Sequence, residues 1–202
     1  KSEHEFDHVF STISSYELAN LIIDEDRELS LKLASIRYSS VACVILEYPS
    51  RELIDFKLTG FGFLVPAIEL SIAPVIGVIF DSNLFNNSSS TIFTILLGGD
   101  HFENYFGEYR NASKDKILLH SINVIRQVLN IKLNPTRHSV RILENCLPIP
   151  GVNHFLLLSD IQSSIMNYPF DISGAAISGP AIPDIVHHSL KLSNKFLTNK
   201  NL

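Results

Sequence analysis

The run Gly60-Phe61-Gly62-Phe63-Leu64-Val65-Pro66, followed by Pro74-Val75-Ile76-Gly77-Val78-Ile79-Phe80-Asp81-Ser82, decides how this chain is read. Both stretches are apolar, strand-like and interrupted by glycine. A glycine inside a strand gives up packing and costs conformational entropy. It therefore stands where another backbone or a ligand comes close, or where a bulge kinks a sheet edge. Gly62 and Gly77 are the candidates for such a place, with both explanations open.

Outward from that core, strands are expected at about 59–66, 75–81 and 91–97, with Asn86-Asn87-Ser88-Ser89-Ser90 as the clearest turn and Gly98-Gly99 closing the block. Before them, Val41, Cys43 and Ile45 alternate with Ala42, Val44, Leu46 and Tyr48. That stretch, 39–48, is apolar on nearly both faces and reads as a covered strand ended by Pro49. The middle of the chain is thus an antiparallel meander. Ser113 can cap a helix whose stripe of Ile117, Leu118, Ser121, Ile122, Ile125, Val128 and Leu129 ends near Asn130 and covers the sheet.

The flanks follow α/β grammar. Residues 6–13 read as a strand, and Ser14 with Glu17 makes a capping box that opens a helix. Asp24-Glu25-Asp26 begins a second helix carrying Leu29, Leu33 and Ile36, its acids near the positive end of the dipole. After a strand at 139–143 and the segment Cys146-Leu147-Pro148-Ile149-Pro150, Phe155, Leu158, Ile161 and Ile165 describe another helix. A brief strand at 170–172 then meets the small residues Gly174, Ala175 and Ala176. Gly179 turns the chain into a last helix with Ile182, Ile185, Ser189, Leu192 and Phe196 on one face. A strand, a glycine turn and a helix start aim free N–H groups at one point, which suits an anion or a carbonyl-bearing ring. The fold class is α/β and α+β, with a largely antiparallel body inserted into an α/β domain.

Composition narrows the partners. A net charge of -5 with scattered Lys and Arg offers no stripe for a phosphate backbone, so nucleic acid is not expected. The longest apolar stretch, 71–80, falls short of the roughly 20 residues that a spanning helix needs. Position 1 is Lys and no leader precedes it, so the chain is expected to be an internal or C-terminal piece of something longer. Cys43 and Cys146 have no metal-type spacing, and Cys146, in an apolar segment, reads as a buried structural thiol. The adjacent His187 and His188 point to different sides of their helix, which favours a solvated or capping role over metal binding. No nucleophile elbow, metalloprotease helix or phosphate loop is present, so no catalytic acid, base or nucleophile is assigned and any redox chemistry falls to a cofactor.

The order Asp7-His8-Val9-Phe10-Ser11, Gly60 to Pro66, Gly77-Val78-Ile79-Phe80-Asp81-Ser82 and Leu96-Leu97-Gly98-Gly99 resembles the C-terminal portion of the oxygen-dependent protoporphyrinogen oxidases, FAD-dependent members of the amine-oxidase-like flavoproteins. The closing Ile172-Ser173-Gly174-Ala175-Ala176, Gly179, Ala181, Ile182 and Asp184 is similar to that family's last flavin-binding segment. The resemblance implies oxidation of protoporphyrinogen IX to protoporphyrin IX in haem biosynthesis, with oxygen as acceptor and hydrogen peroxide as by-product. It implies substrate contacts at Phe61, Gly62, Leu64 and Leu96, where some members carry Met in the last position. FAD contacts are implied at Gly174, Gly179, Ala181, Ile182 and Asp184. It further implies a homodimer on the inner mitochondrial membrane, with peripheral membrane contact through an N-terminal part outside this sequence. The expected division is 1–19 and 168–202 as pieces of the FAD-binding domain and 20–167 as the substrate-binding domain, inactive in isolation. Pro180 and Pro183 stand where the family usually offers an N–H, and proline has none. The alternative is a diverged, non-catalytic relative that keeps the sheet as a binding or dimerisation module.

Overall fold

The structure is a computed structural model that describes residues 4–49, 60–85, 89–166 and 168–200. In chain order its elements are β1 (Val9–Ser11), α1 (Ser15–Ile22), α2 (Arg27–Ala34), β2 (Arg37–Tyr48), β3 (Gly62–Leu64), β4 (Val75–Ile79), α3 (Asp81–Leu84) and β5 (Thr91–Gly98). Then come α4 (Phe102–Phe106), a 3-10 turn (Tyr109–Asn111), α5 (Lys114–Leu129), β6 (Arg137–Ile149), α6 (His154–Ile165), β7 (Phe170–Ile172), α7 (Ala175–Ser178) and α8 (Ile182–Lys200). Two compact units result, one of residues 1–39 with 147–202 and one of residues 40–146. The expected boundaries at 19/20 and 167/168 thus move to within β2 and β6. The reason is packing: Leu29 and Leu33 of α2 and Ile161 and Ile165 of α6 share one core with Leu18 and Ile172.

In the first unit β1 pairs parallel with β7, from Val9 opposite Phe170 to Ser11 opposite Ile172. Only three residues find partners, which ends the expected 6–13 strand early. The side chains of the expected capping box at α1 bond each other and not the backbone. Ser14 Oγ donates to Glu17 Oε2 at 2.6 Å, but its side chain accepts no backbone N–H. Asp26 does cap α2, accepting from Leu29 N at 2.9 Å. On α8 the inward stripe runs through Ile185, His188, Leu192 and Phe196; Ser189 and Ile182 of the expected face are exposed.

The second unit is built on a five-stranded sheet in the order β3-β4-β5-β2-β6. Residues 59 and 86–88 of the expected strand and turn lie outside the described residues. Antiparallel register aligns Phe63, Val78, Ile95 and Val44 across four strands. Alternation then puts Ala42, Val44, Leu46, Phe93, Ile95 and Leu97 on one face, all fully buried, together with Ile117, Val124 and Ile125 of α5. Aromatic rings reinforce this face: Tyr48, Phe93, Phe80 and Phe63 stack edge-on in sequence at 5.8, 5.7 and 6.1 Å between centroids. The cap and stop of α5 fall where the sequence puts them. Ser113 Oγ accepts from Lys116 N at 3.4 Å, and Asn130, at φ 54°, ends the helix.

Several elements differ from expectation. β2 is covered on one face only, since Ile45 is 41% exposed on the other. Asp81 and Ser82 open α3 instead of ending a strand. α4 has no counterpart in the sequence reading; its Phe102 is fully buried and stacks on Tyr109 at 3.8 Å. β6 runs well beyond 139–143 and through Pro148, which an edge strand tolerates because the missing N–H is not needed by a neighbour on the outer side. Asn145, at φ 47°, bends it midway. Cys146 is exposed, because the segment that holds it lies on this edge and not in the core.

The two glycines have a backbone explanation. Gly62 lies opposite Ile79 at φ 152°, and a Cβ there would collide with the carbonyl oxygen of Val78. At Gly77 a Cβ would sit 2.8 Å from the carbonyl oxygen of Phe63. Here β4 bulges: Val75 pairs with Leu97 while Gly77 pairs with Leu96, so Ile76 is the extra residue. Gly62→Ala is expected to destabilise the protein by about 1–3 kcal/mol, through strain between β3 and β4. Urea unfolding midpoints with and without ligand check this, and an unchanged midpoint would refute it.

His120 of α5 lies against the rings of Tyr105 and Phe106 at 5.8 and 5.6 Å. Burial pushes its pKa below the ordinary 6.5, partly offset by the backbone at Ile72 and Ala73. The unfolded chain therefore takes up this proton first as pH falls, so the stabilisation is full above about 6.5 and lost progressively below it. Melting temperatures from pH 7.5 to 5 should decline in the native protein and decline less steeply in His120→Gln.

Candidate functional site

The sheet of the second unit has one face closed by α5. On the other, alternation presents Leu64, Gly77, Leu96 and Cys43 in one row and Gly62, Ile79, Thr94 and Ile45 in the next. The first row is almost purely apolar. Phe61 and Leu64 are 63% and 84% exposed, which for side chains of this size marks an apolar surface that the described residues of this unit do not cover. Phe61, Gly62, Leu64 and Leu96 line one cavity of about 230 Å³ with Phe63, Ile76, Gly77, Val78 and Ile79. The structure thus brings together all four residues singled out for substrate contact. The bulge at Ile76 adds a wall that the sequence reading missed.

A second cavity, of about 300 Å³, meets the first at Ile76 and is lined also by Val65, Pro66, Glu69, Pro74, Gly98, Asp100 and His101. Hydrogen bonds from Ser71 hold the Glu69 carboxyl below the usual carboxylate range, the backbone N–H reaching Oε1 at 2.9 Å. Cys43 lies beside Leu96 on the open face, and burial, with Asp81 nearby, pushes its thiol pKa up. A thiol kept protonated in this way is a poor nucleophile and serves as apolar lining. Cys43 could have been found from the odd-numbered side of β2, had that side been recognised as facing outward.

The second predicted set lies in the first unit along the turn after β7. Gly174 precedes α7, Gly179 follows it at φ 97°, and Ala181, Ile182 and Asp184 begin α8. Ala181 O accepts from Asp184 N and Ile185 N, both at 3.1 Å, while Pro180 and Pro183 have no N–H to give. The helix start therefore retains the amides of Ala181 and Ile182. The carboxylate of Asp184 approaches Gly179 and already places a negative charge at this end of the dipole, so the turn suits a neutral carbonyl better than a phosphate. His188 anchors the helix: its Nδ1 lies 3.2 Å from Ser173 Oγ, which in turn bonds Ser189 Oγ at 2.8 Å. Burial depresses the His188 pKa, which makes this an internal fastening in place of the expected solvated role.

Elsewhere in this unit His8 Nε2 lies 3.0 Å from Asp171 Oδ2, its ring flanked by Phe10 and Phe196 at 4.7 and 4.9 Å, beside a cavity of about 280 Å³. Among the described residues no group of His, Cys, Asp and Glu could hold a metal ion, and no helix is long and apolar enough to cross a membrane.

No protein-family model matches the chain. It is 31% identical to protoporphyrinogen oxidase of Dictyostelium discoideum over 99% of its own length and 42% of that protein's. It is 27% identical to protoporphyrinogen oxidase of Homo sapiens, over 92% of its length and 39% of the relative's. Among solved structures, a candidate protoporphyrinogen oxidase from Exiguobacterium sp. 255-15 superposes with a TM-score of 0.77 at 17% identity, covering 94% of this chain and 41% of that one. That last likeness concerns the fold. The chain spans about two fifths of the length of these curated relatives, and over nearly all of its own length it is similar to protoporphyrinogen oxidases.

Proposed function

We propose that this chain supplies the C-terminal part of an FAD-dependent oxidase that converts protoporphyrinogen IX to protoporphyrin IX in haem biosynthesis, with oxygen as acceptor and hydrogen peroxide as by-product. The observation that carries the reading is the open apolar face on which Phe61, Gly62, Leu64 and Leu96 line one cavity. A flat, largely apolar macrocycle buries its face against such a surface, and each 100 Å² so covered contributes about 2.5 kcal/mol before the costs of association. The likeness to the protoporphyrinogen oxidases supports the same substrate class. The parent protein acts as a homodimer at the inner mitochondrial membrane in this reading.

The turn after β7 fits a flavin in part. Ala181 and Ile182 would offer N–H groups to a carbonyl of the ring, and Gly174 and Gly179 leave room for it on their backbone. Bound FAD would supply the acceptance of hydrogen from the substrate and the reaction with oxygen. The chain's own residues position the macrocycle and exclude water; none acts as acid or base. Pro180 and Pro183 favour a second reading, in which the cofactor has been lost and the sheet persists as a binding module.

Purified full-length protein carrying this chain is expected to show flavin absorption bands and, given protoporphyrinogen IX in air, to develop porphyrin fluorescence. A colourless protein that takes up no added FAD would overturn the oxidase reading and favour the second.

A further inference from the structure

The first unit holds a cavity for which the oxidase reading has no use. It lies beside the pair of His8 and Asp171 and has a volume of about 280 Å³, close to the small end of ligand sites. Met166, Phe170 and Phe196 give it apolar walls, and His8, Gln162 and Lys195 bring polar groups to the same space. None of its lining residues belongs to the turn after β7 or to the sheet of the second unit.

The polar groups around this cavity fall into two sets. Some are matched within the protein: Tyr168 Oη donates to Asp26 Oδ2 at 3.1 Å, and Asp171 Oδ2 lies 3.0 Å from His8 Nε2. Three others are not. Among the described residues, Nδ1 of His8, the side-chain amide of Gln162 and Nζ of Lys195 have no hydrogen-bond or ion-pair partner. Unmatched donors that line one enclosed space, and not open surface, point to a guest that accepts from them.

The imidazole is fixed in place. Asp171 is only 8% exposed, and the His8 ring packs against Phe10 on one strand and Phe196 on the last helix. As imidazolium the ring donates Nε2–H to Asp171 and keeps Nδ1–H for a ligand. Its charge then cancels that of Asp171, and the ammonium of Lys195 leaves one positive charge in excess. A monoanion balances that charge, whereas a dianion exceeds it. A carboxylate has lone pairs enough to accept from the imidazolium, the ammonium and the amide together.

We propose that this cavity binds a small organic carboxylic acid, with the carboxylate between His8 and Lys195 and the apolar body against Met166 and Phe196. The site goes beyond the oxidase reading and does not depend on it, because flavin and macrocycle would engage other residues.

The test is isothermal titration calorimetry of purified full-length protein with three probes of one shape: benzoate, neutral benzamide and doubly charged phenyl phosphate. Benzoate is expected to bind, and the other two to bind about tenfold more weakly or worse. Lys195→Met removes one charge-assisted contact and should weaken benzoate about tenfold, while Lys195→Arg keeps most of the affinity. His8→Gln should cost a similar factor. Lys195 is exposed, so its variants keep the fold even where loss of the His8 ring disturbs it. Benzoate binding that Lys195→Met leaves unchanged would put the acid elsewhere in the protein and overturn the proposal. Equal binding of benzamide, tighter binding of phenyl phosphate, or no binding of benzoate by the native protein would overturn it as well. The flavin bands and porphyrin fluorescence of the full-length protein decide the oxidase reading separately, so the two can fail independently.

Discussion

Two backbones meet at the edge of the five-stranded sheet with no room for a side chain between them. At Gly62 and Gly77, β3 and β4 approach so closely that any Cβ would contact a carbonyl oxygen of the neighbouring strand. This contact holds β3 to the rest of the sheet, since among the described residues its three residues have no other strand as partner. Everything that β3 contributes to the cavity, Phe61 and Leu64 above all, is positioned through it. The bulge beside Gly77 pushes Ile76 out and makes a wall from what would otherwise be a flat surface.

The sheet works as a partition. Behind it, Tyr48, Phe93, Phe80 and Phe63 interlock with α5 in a core from which water is excluded. In front of it the side chains are as apolar but are not covered by the described residues of this unit. A sheet usually pairs one buried face with one polar face. Two apolar faces mean that the front meets something other than solvent, and its lining, apolar in the middle with Glu69 and Asp100 at one side, describes that something as flat and largely apolar. The first unit contributes a different kind of surface, a short turn whose donors are two amides and whose charge is already supplied by Asp184.

Much of this was legible in the chain. The order of strands and helices, the meander, the Ser113 cap and the Asn130 stop all follow from local chemistry that tertiary contacts do not override. The four residues of the apolar cavity followed from a resemblance, and the glycine pattern pointed to the same place. What sequence could not supply was direction. Alternation in β2 is nearly all apolar, so nothing local says that Ile45 faces out and Val44 faces in. The glycines show the same limit: spacing alone could not separate a ligand's approach from a bulge, and the backbone contact explains both positions without one. The unit boundaries shifted for a related reason, since the pairing of α2 with α6 joins segments separated by more than a hundred residues.

The far edge of the sheet has its own consequence. β6 carries a proline and, three residues before it, an asparagine in the left-handed region, so its outer row of donors is broken and its course is bent. A second chain that tried to add a strand there would find no continuous ladder to extend. The protein can thus keep a long strand at its margin without inviting the edge-to-edge stacking from which insoluble fibres grow, which leaves it free to display an apolar face elsewhere.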